Sequence, residues 1–198
     1  MTPTTSDRIL DTAIDLFGTR GYDAVSLDAV AHQVDLSKQS ILYWFPSKEA
    51  LMGGVIAKTA QEITSIMQVA LEGAGQGWSR VEAVVRAAFR VGARRPALLG
   101  ILREVNRLGP PAATLMTEEL APLVKRATAF LEAEMDAGRM RRSDPNLLVL
   151  AIYSTVVGMV TEVEVSRALG EEPTARSLVR RRADALGLLR SALLIEPL

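Results

Sequence analysis

A short segment near the amino end places several hydrogen-bonding side chains at the spacing of one helix face. Ser37 can cap a helix, and Ile41, Leu42 and Phe45 would then pack inward. The outer face of that helix would carry Lys38, Gln39, Ser40, Tyr43 and Trp44. Lysine and glutamine hydrogen-bond to base edges, and serine and tyrosine hydroxyls suit phosphate oxygens. The segment therefore predicts a recognition helix for the major groove of double-stranded DNA.

The residues on either side supply the elements that would hold this helix. Ser26 is a good cap for a preceding helix, whose apolar positions recur at helical spacing. They are Leu27, Val30, Ala31 and Val34. Asp35 and Leu36 interrupt the pattern, which indicates a turn between two short helices. Pro46 and Ser47 then begin a further helix, so we expect Lys48 to help hold a phosphate at its amino end.

These motifs together resemble the amino-terminal domain of the tetracycline-repressor (TetR) family of bacterial transcription regulators. The resemblance covers about the first fifty residues and is carried by fixed spacings. The matching residues are Ile9–Ala13, Leu16–Phe17, Arg20–Tyr22, Ser26–Leu27, Val30–Ala31, Ser37–Lys38 and Phe45–Leu51. The family often has glycine in the turn where this chain has Asp35, and aspartate tolerates the left-handed backbone that such a turn needs. At the end of the helix the order Leu42, Tyr43, Trp44 departs from the family pattern. For the two aromatic residues, packing of the helix onto its domain stays open as the alternative role.

The charge of the first fifty residues is unusual for a DNA-binding domain. Four basic residues face seven acidic ones, so the segment is net negative, whereas such domains commonly carry a basic patch. Lys38 and Lys48, however, lie in a stretch from Ser37 to Lys48 that contains no acid. We therefore expect a docking surface that is locally positive, and a dimer would carry it twice.

The composition argues against an enzyme. The chain of 198 residues has no cysteine and a single histidine, His32, which excludes thiol chemistry and leaves no residues for a Ser-His-Asp set outside the helix-turn-helix. No phosphate loop, dinucleotide fingerprint or metal-ligand spacing is present. We predict neither cofactor nor metal. No apolar run reaches the roughly 18 residues of a membrane span, and the first residues lack signal-peptide features, so a cytoplasmic protein is expected.

The remaining pattern predicts an all-α protein in two domains. The first, residues 1–46, is a three-helix helix-turn-helix domain whose first helix is capped by Ser6 and ends near Gly21. The second, residues 47–198, is a larger helical domain for ligand binding and dimerisation. Its predicted helices span 47–72, 79–93, 96–107, 115–137, 145–169 and 174–194.

The last two predicted helices indicate self-association. Their apolar residues lie on more than one face, whereas a surface helix has a single stripe. The predicted interface residues are Ile152, Val156, Met159, Val163, Leu186, Leu189 and Leu193. Two helices from each of two chains would close a four-helix interface, as the family resemblance also implies. A buried helix pair within a monomer is the alternative.

The resemblance also implies a small-molecule sensor in the middle of the chain. Apolar and aromatic residues spread over several helices would line it, with three polar residues as orienting groups. The candidates are Met67, Phe89, Leu102, Met116, Phe130 and Tyr153, with Glu104, Asn106 and Arg107. Ordinary core or surface positions are the alternative for each. The family mechanism is that ligand tilts the helix of residues 47–72 and releases DNA.

The sequence thus predicts a homodimeric, ligand-responsive transcription regulator, and more specifically a repressor. Its partners would be operator DNA, a small-molecule effector and a second copy of the chain, with no membrane. The alternative is an all-helical small-molecule-binding or scaffold protein without operator binding. The net negative charge of the first fifty residues leaves this alternative open.

Overall fold

The computed structural model describes residues 3–195, and within them the chain is built from helices. Ten helices follow one another in this part of the chain: α1 (Thr5–Arg20), α2 (Leu27–Gln33), α3 (Lys38–Trp44), α4 (Lys48–Glu72), α5 (Trp78–Arg94), α6 (Pro96–Leu108), α7 (Ala112–Asp136), α8 (Pro145–Thr161), α9 (Val163–Ala168) and α10 (Ala175–Leu193). A lone antiparallel bridge between Met140 and Leu194 is the β-type pairing among these residues. The all-α prediction is confirmed.

The beginning of α1 corrects the predicted cap. The helix is capped by Thr4, whose hydroxyl accepts from the Asp7 backbone while the Asp7 carboxylate accepts from the Thr4 backbone. Ser6 lies inside the first turn. The reciprocal pair needs a hydroxyl three residues before an acid, and Thr4 meets that requirement where Ser6 does not. At the other end Gly21, with φ of 86°, caps the helix as predicted.

The predicted helix over 145–169 is wrong in one respect, because it is two helices. Asp144 caps α8 as expected, accepting from the backbone of Asn146 and Leu147. Glu162 then leaves the helical region with ψ of 72°, and α9 follows. Thr161 and Val163 flank the break, and β-branched side chains of this kind have reduced helix propensity.

Packing divides the described chain into two units. The first contains the residues up to Thr64 together with Arg95–Leu120, and the second contains Ser65–Arg94 together with the residues from Ala121 onward. The first unit is thus larger than the predicted domain of residues 1–46, since α6 packs on α1. The boundaries of the units fall inside α4, between α5 and α6, and inside α7. The division at residue 46 stays a prediction about function.

Each unit has its own apolar core. In the first, Ile9, Phe17, Val30 and Ile41 bring together the three helices α1, α2 and α3. In the second, α5, α8 and α10 pack on one another. The core of the second unit is formed by Val81, Val85, Phe89, Leu131, Met135, Met140, Val156, Ala185, Leu189 and Leu193. In residues 3–195 we find no helix with the length and apolar character needed to cross a membrane.

Candidate nucleic-acid interface

The turn between α2 and α3 fixes how α3 is presented. Asp35 has φ of 58°, the left-handed conformation that aspartate was expected to tolerate. The Leu36 backbone donates to the Ala31 carbonyl over 2.9 Å, and the Arg8 guanidinium donates to the Val34 carbonyl over 3.0 Å. The turn is therefore closed from both sides, and α3 leaves it in a fixed direction.

One face of α3 is buried and the other is open. Ile41 is fully buried and Leu42 and Phe45 are partly buried, as predicted. Tyr43 is 82% exposed and Trp44 is 45% exposed, with their rings edge to face. This exposure is more than residues that only fasten a helix to its domain would have. A shallow groove of about 460 Å³ runs along this face, lined by Thr5, Leu36, Gln39, Ser40, Tyr43 and Trp44.

Two of the three serines predicted for DNA contact, Ser26 and Ser37, are first of all structural caps. Ser26 accepts from the Ala29 backbone, and Ser37 accepts from the Ser40 backbone, each over 3.1 Å. The hydroxyls of Ser37 and Ser40 also lie 2.9 Å apart. A hydroxyl that accepts in a cap still carries its own O–H donor. Ser26 and Ser37 can therefore cap their helices and offer a donor to phosphate at once.

The two lysines of this surface already have partners. Lys38 donates to Asp28 over 2.8 Å, so an acid from α2 faces the start of α3. Lys48 lies 4.1 Å above the centre of the Tyr22 ring, and the Tyr22 hydroxyl donates to Glu49 over 3.3 Å. Burial, together with the nearby Glu49 charge, raises the pKa of Tyr22 to about 12. The locally positive surface inferred from the sequence is thus reduced by Asp28, which sequence spacing did not bring to attention.

Two residues of α6 hold the loop after α1 in place. Glu104 of α6 accepts from the Tyr22 backbone over 2.6 Å and from Arg107 over 2.7 Å. Arg107 also donates to Asp23 over 2.8 Å. The Arg107 guanidinium, aided by the Tyr22 amide, holds the pKa of Glu104 below its ordinary value of 4.5 against the opposing effect of burial. This network links α6 to the helix-turn-helix.

The helices α1 and α6 also meet backbone to backbone. A Cβ atom added to Gly100 would lie 2.0 Å from the Gly18 carbonyl oxygen, and one added to Gly18 would lie 2.2 Å from the Ala97 carbonyl oxygen. Both distances are far shorter than any real contact. Glycine is therefore required at both positions for this helix crossing to exist.

The predicted ligand residues fall into both units. Leu102, Glu104 and Met116 are buried in the first unit and Asn106 is exposed there. The second unit holds Met67, Phe89, Phe130 and Tyr153. Glu104 and Arg107 bind the loop after α1, as described above. Phe89 is 2% exposed in the core of the second unit, and Phe130 is partly buried and packed against that core.

A further polar group lies beside that apolar cluster. The Arg80 guanidinium lies 5.7 Å from the centre of the Phe130 ring, and its Nε atom is buried without a hydrogen-bond partner among the described residues. Sequence reasoning missed Arg80, since an arginine on a helix is usually a solvated surface residue. The available signal was that Arg80 lies close to Trp78 and Val81 in sequence, on a stripe of the helix whose other residues are apolar.

The predicted interface residues require a correction. Val156, Leu189 and Leu193 are at most 5% exposed, since they form the core of their own unit. Ile152, Met159 and Leu186 are partly buried against the same core, and Val163 lies partly buried in α9. A residue that its own chain covers has little surface left for a partner. The large apolar residues that α8 and α10 leave exposed are Leu147, Leu150, Tyr153, Val179 and Leu188.

Comparison with known proteins identifies the motif. The family model described as "Bacterial regulatory proteins, tetR family" matches residues 9–55, which contain most of α1, the helix-turn-helix and the start of α4. The transcriptional regulator AlkX of Mycobacterium tuberculosis is 29% identical over 126 residues, covering 63% of this chain and 59% of AlkX. The transcriptional regulator RutR of Escherichia coli is 25% identical over 151 residues, covering 74% of this chain and 69% of RutR.

The fold has a match over nearly its whole length. A transcriptional regulator from Saccharomonospora viridis, solved in complex with choline, superposes with a TM-score of 0.80 at 17% identity, covering 96% of this chain and 98% of that one. Over residues 9–55 the chain is thus similar to the tetR family of bacterial regulatory proteins, and its fold is similar to that of a solved transcriptional regulator.

Proposed function

We propose that this protein is a homodimeric, sequence-specific DNA-binding regulator, and that it represses transcription until a small, largely apolar ligand releases it from its operator. The observation that carries the proposal is the open face of α3, where Gln39, Tyr43 and Trp44 project from a helix that Ser37 caps. Such a helix presents its first residues to base edges when it lies in the major groove. A protein with this role acts in the cytoplasm, where bacterial DNA is.

DNA binding is tested directly by a gel-shift assay with the DNA upstream of the protein's own gene. We expect a shifted band that survives excess random DNA. The second candidate is a protein that binds ligand or partners without an operator. It is favoured by the net negative charge of the first fifty residues and by the contacts that Lys38 and Lys48 already make with Asp28 and Tyr22. A protein that enriches no sequence from a random pool of duplexes would favour that candidate.

Lys48 gives a separate test of backbone contact. Its ammonium lies at the start of α4 above Tyr22, where a phosphate would also meet the helix amides. We expect Lys48→Ala to weaken operator and random DNA alike and to reduce the log-log salt slope by about one. Lys125→Ala, which removes a cation from the exposed side of α7, is the matched control. An unchanged slope in Lys48→Ala would contradict the phosphate contact.

The exposed apolar residues of α8 and α10 support the homodimer. Leu147, Leu150 and Leu188 are each more than half exposed, and large apolar side chains grouped on exposed surface commonly mark an interface. We therefore move the proposed interface from the buried residues of these helices to their outer face. Two copies of this face would pair about a two-fold axis.

The ligand-binding part of the proposal is carried by the predicted pocket residues of the second unit. Phe130 is partly buried against the core, and Arg80 lies beside it with an unpaired Nε atom. A ligand can shift the balance between DNA-bound and released states only by binding one of them better. A cognate ligand should therefore raise the melting temperature and lower operator affinity together.

We expect Phe130→Ala to weaken that ligand response while ligand-free DNA binding is retained. Phe89→Ala is a poorer test, because truncating a fully buried phenylalanine costs roughly 3–5 kcal/mol of stability. Thermal shift and gel-shift titrations with a panel of apolar compounds measure both quantities. A compound that stabilises the protein and leaves operator affinity unchanged would refute the release mechanism.

A further inference from the structure

An ion pair joins α2 and α3 on the open side of the helix-turn-helix. The Lys38 Nζ atom lies 2.8 Å from Asp28 Oδ2, and the two side chains are 49% and 63% exposed. Exposed pairs of this kind add little to folding stability. Its effect is therefore to be sought in what the Lys38 ammonium does when α3 meets DNA.

Lys38 decides the charge of the recognition helix. The sequence of α3 is KQSILYW, in which Lys38 is the one charged residue. The neighbouring cations lie outside α3: Arg8 of α1 donates to the Val34 carbonyl, and Lys48 lies over Tyr22 at the start of α4. Whether Lys38 contacts a phosphate or a base is thus the main electrostatic choice that this helix makes.

Asp28 biases that choice. An ammonium has three N–H donors, and one of them is taken by the Asp28 carboxylate. Two donors remain for acceptors such as the O6 and N7 atoms of guanine. A phosphate approaching the same ammonium would meet the negative charge of Asp28 at close range, whereas a neutral base edge would not.

We propose that Asp28 is a positioning residue for sequence readout, which holds Lys38 for base edges and disfavours its use as a phosphate anchor. This inference rests on the proposed DNA-binding function. Because its negative charge repels phosphate, Asp28 weakens the non-specific binding of DNA, and this raises the ratio of operator affinity to random-DNA affinity. A positive charge free to seek phosphate would have the opposite effect.

The experiment compares four full-length proteins on two duplexes. The duplexes are the sequence that wild-type protein enriches from a random pool and a scrambled sequence of the same composition. The proteins are wild type, Asp28→Asn, Lys38→Ala and the double mutant, and affinities are measured over a range of salt concentrations. Asp15→Asn removes the same charge from the exposed side of α1 and serves as the matched control.

We expect Asp28→Asn to bind scrambled DNA more tightly, with a salt slope steeper by about one for each helix-turn-helix that contacts the duplex. The ratio of operator affinity to scrambled-DNA affinity should fall about two- to fivefold for each of these helix-turn-helix contacts. In the Lys38→Ala background the same substitution should leave the ratio unchanged. A ratio in Asp28→Asn equal to that of Asp15→Asn, or a fall that persists without Lys38, would overturn the inference. A wild type that enriches no duplex would instead overturn the proposed function.

Discussion

Among single residues, Gln39 is the side chain that the proposed function makes responsible for distinguishing one base pair from another. It is the second residue of α3 and lines the open groove, and glutamine makes paired hydrogen bonds to adenine. We expect Gln39→Ala to cost about 1–3 kcal/mol on the preferred operator and to relax the preference at one or two positions. Binding to random duplexes should change little. Selection from a random pool, followed by affinity measurement, tests this.

Gln33→Ala is the matched control for that change, because Gln33 is exposed at the end of α2 and outside the groove. The control should keep the wild-type preference. Equal losses on operator and random DNA in Gln39→Ala would assign that residue a backbone role instead.

Glu104 predicts a specific dependence of stability on pH. Its pKa is below the ordinary value of 4.5 in the folded protein, chiefly because Arg107 hydrogen-bonds to it. A carboxylate whose pKa is lowered by folding stabilises the protein above its unfolded pKa, and this contribution is lost as the pH falls through the folded value. We therefore expect Glu104→Gln to lower the free energy of unfolding at pH 7 and to flatten its decline below about pH 4.5.

Denaturant unfolding of the mutant at several pH values checks this, with Glu118→Gln, an exposed acid of α7, as the control. A mutant whose stability falls in acid as steeply as that of wild type would show that Glu104 is not the titrating group.

Local chemistry explains which site residues could be predicted. The caps Ser26 and Ser37 and the left-handed Asp35 depend on neighbours within three residues, so their roles follow from the sequence and are confirmed. The partners of Lys38 and Glu104 depend on residues ten and eighty-two positions away. Spacing along one helix carries no information about such contacts, and Asp28 and Tyr22 were accordingly missed.

At the level of helices, the crossing of α1 and α6 is the least tolerant feature of the first unit. Because the Cβ atom of an alanine at position 100 would lie 2.0 Å from backbone, Gly100→Ala must force the helices apart. We expect a loss of roughly 3 kcal/mol, the upper end of the usual cost of overpacking. Thermal or denaturant unfolding measures it.

Gly53→Ala provides the control in the same unit. A Cβ atom there would meet Leu115 at an ordinary 3.9 Å, so replacing a glycine inside α4 should stabilise the helix by roughly 0.5–1 kcal/mol. If both substitutions had the same effect, the close crossing of α1 and α6 would be disproved.

Helices as a class were predictable because apolar periodicity is written into each segment, and eight of the observed helices match predicted segments within a few residues. The break at Glu162 was not predicted, since no proline or glycine marks it. Which helices pack together was also beyond reach. The contact of α6 with α1 depends on Gly18 and Gly100, which are far apart in sequence. Nothing in the pattern around either glycine indicates which helix it packs against.

At the level of the whole molecule, the proposed dimer gives a prediction that separates association from folding. Leu150 is 59% exposed on α8, so Leu150→Glu should leave the chain folded and shift it from dimer to monomer. Val156 is 4% exposed on the same helix, and a charge there would be buried without a partner. Val156→Glu should therefore unfold the second unit. Analytical ultracentrifugation together with circular dichroism distinguishes the two outcomes.

Val124→Glu, at a residue of α7 that is 45% exposed, is the control and should remain dimeric. A folded Leu150→Glu protein that sediments like wild type would place the interface on another face. The sequence predicted interface residues that the chain itself buries, because a two-faced apolar pattern does not say which face the chain covers.

The placement of the two tryptophans gives this protein a built-in optical readout. The sequence has two tryptophans: Trp44 is 45% exposed at the groove of the first unit, and Trp78 packs against the core of the second. Indole emission depends on the polarity around the ring, so each unit carries its own fluorophore. A Trp78→Phe protein would report DNA contact through Trp44 alone, and a Trp44→Phe protein would report events in the second unit. The proposed DNA binding in the first unit and the proposed ligand binding in the second would each be followed in real time without an attached dye.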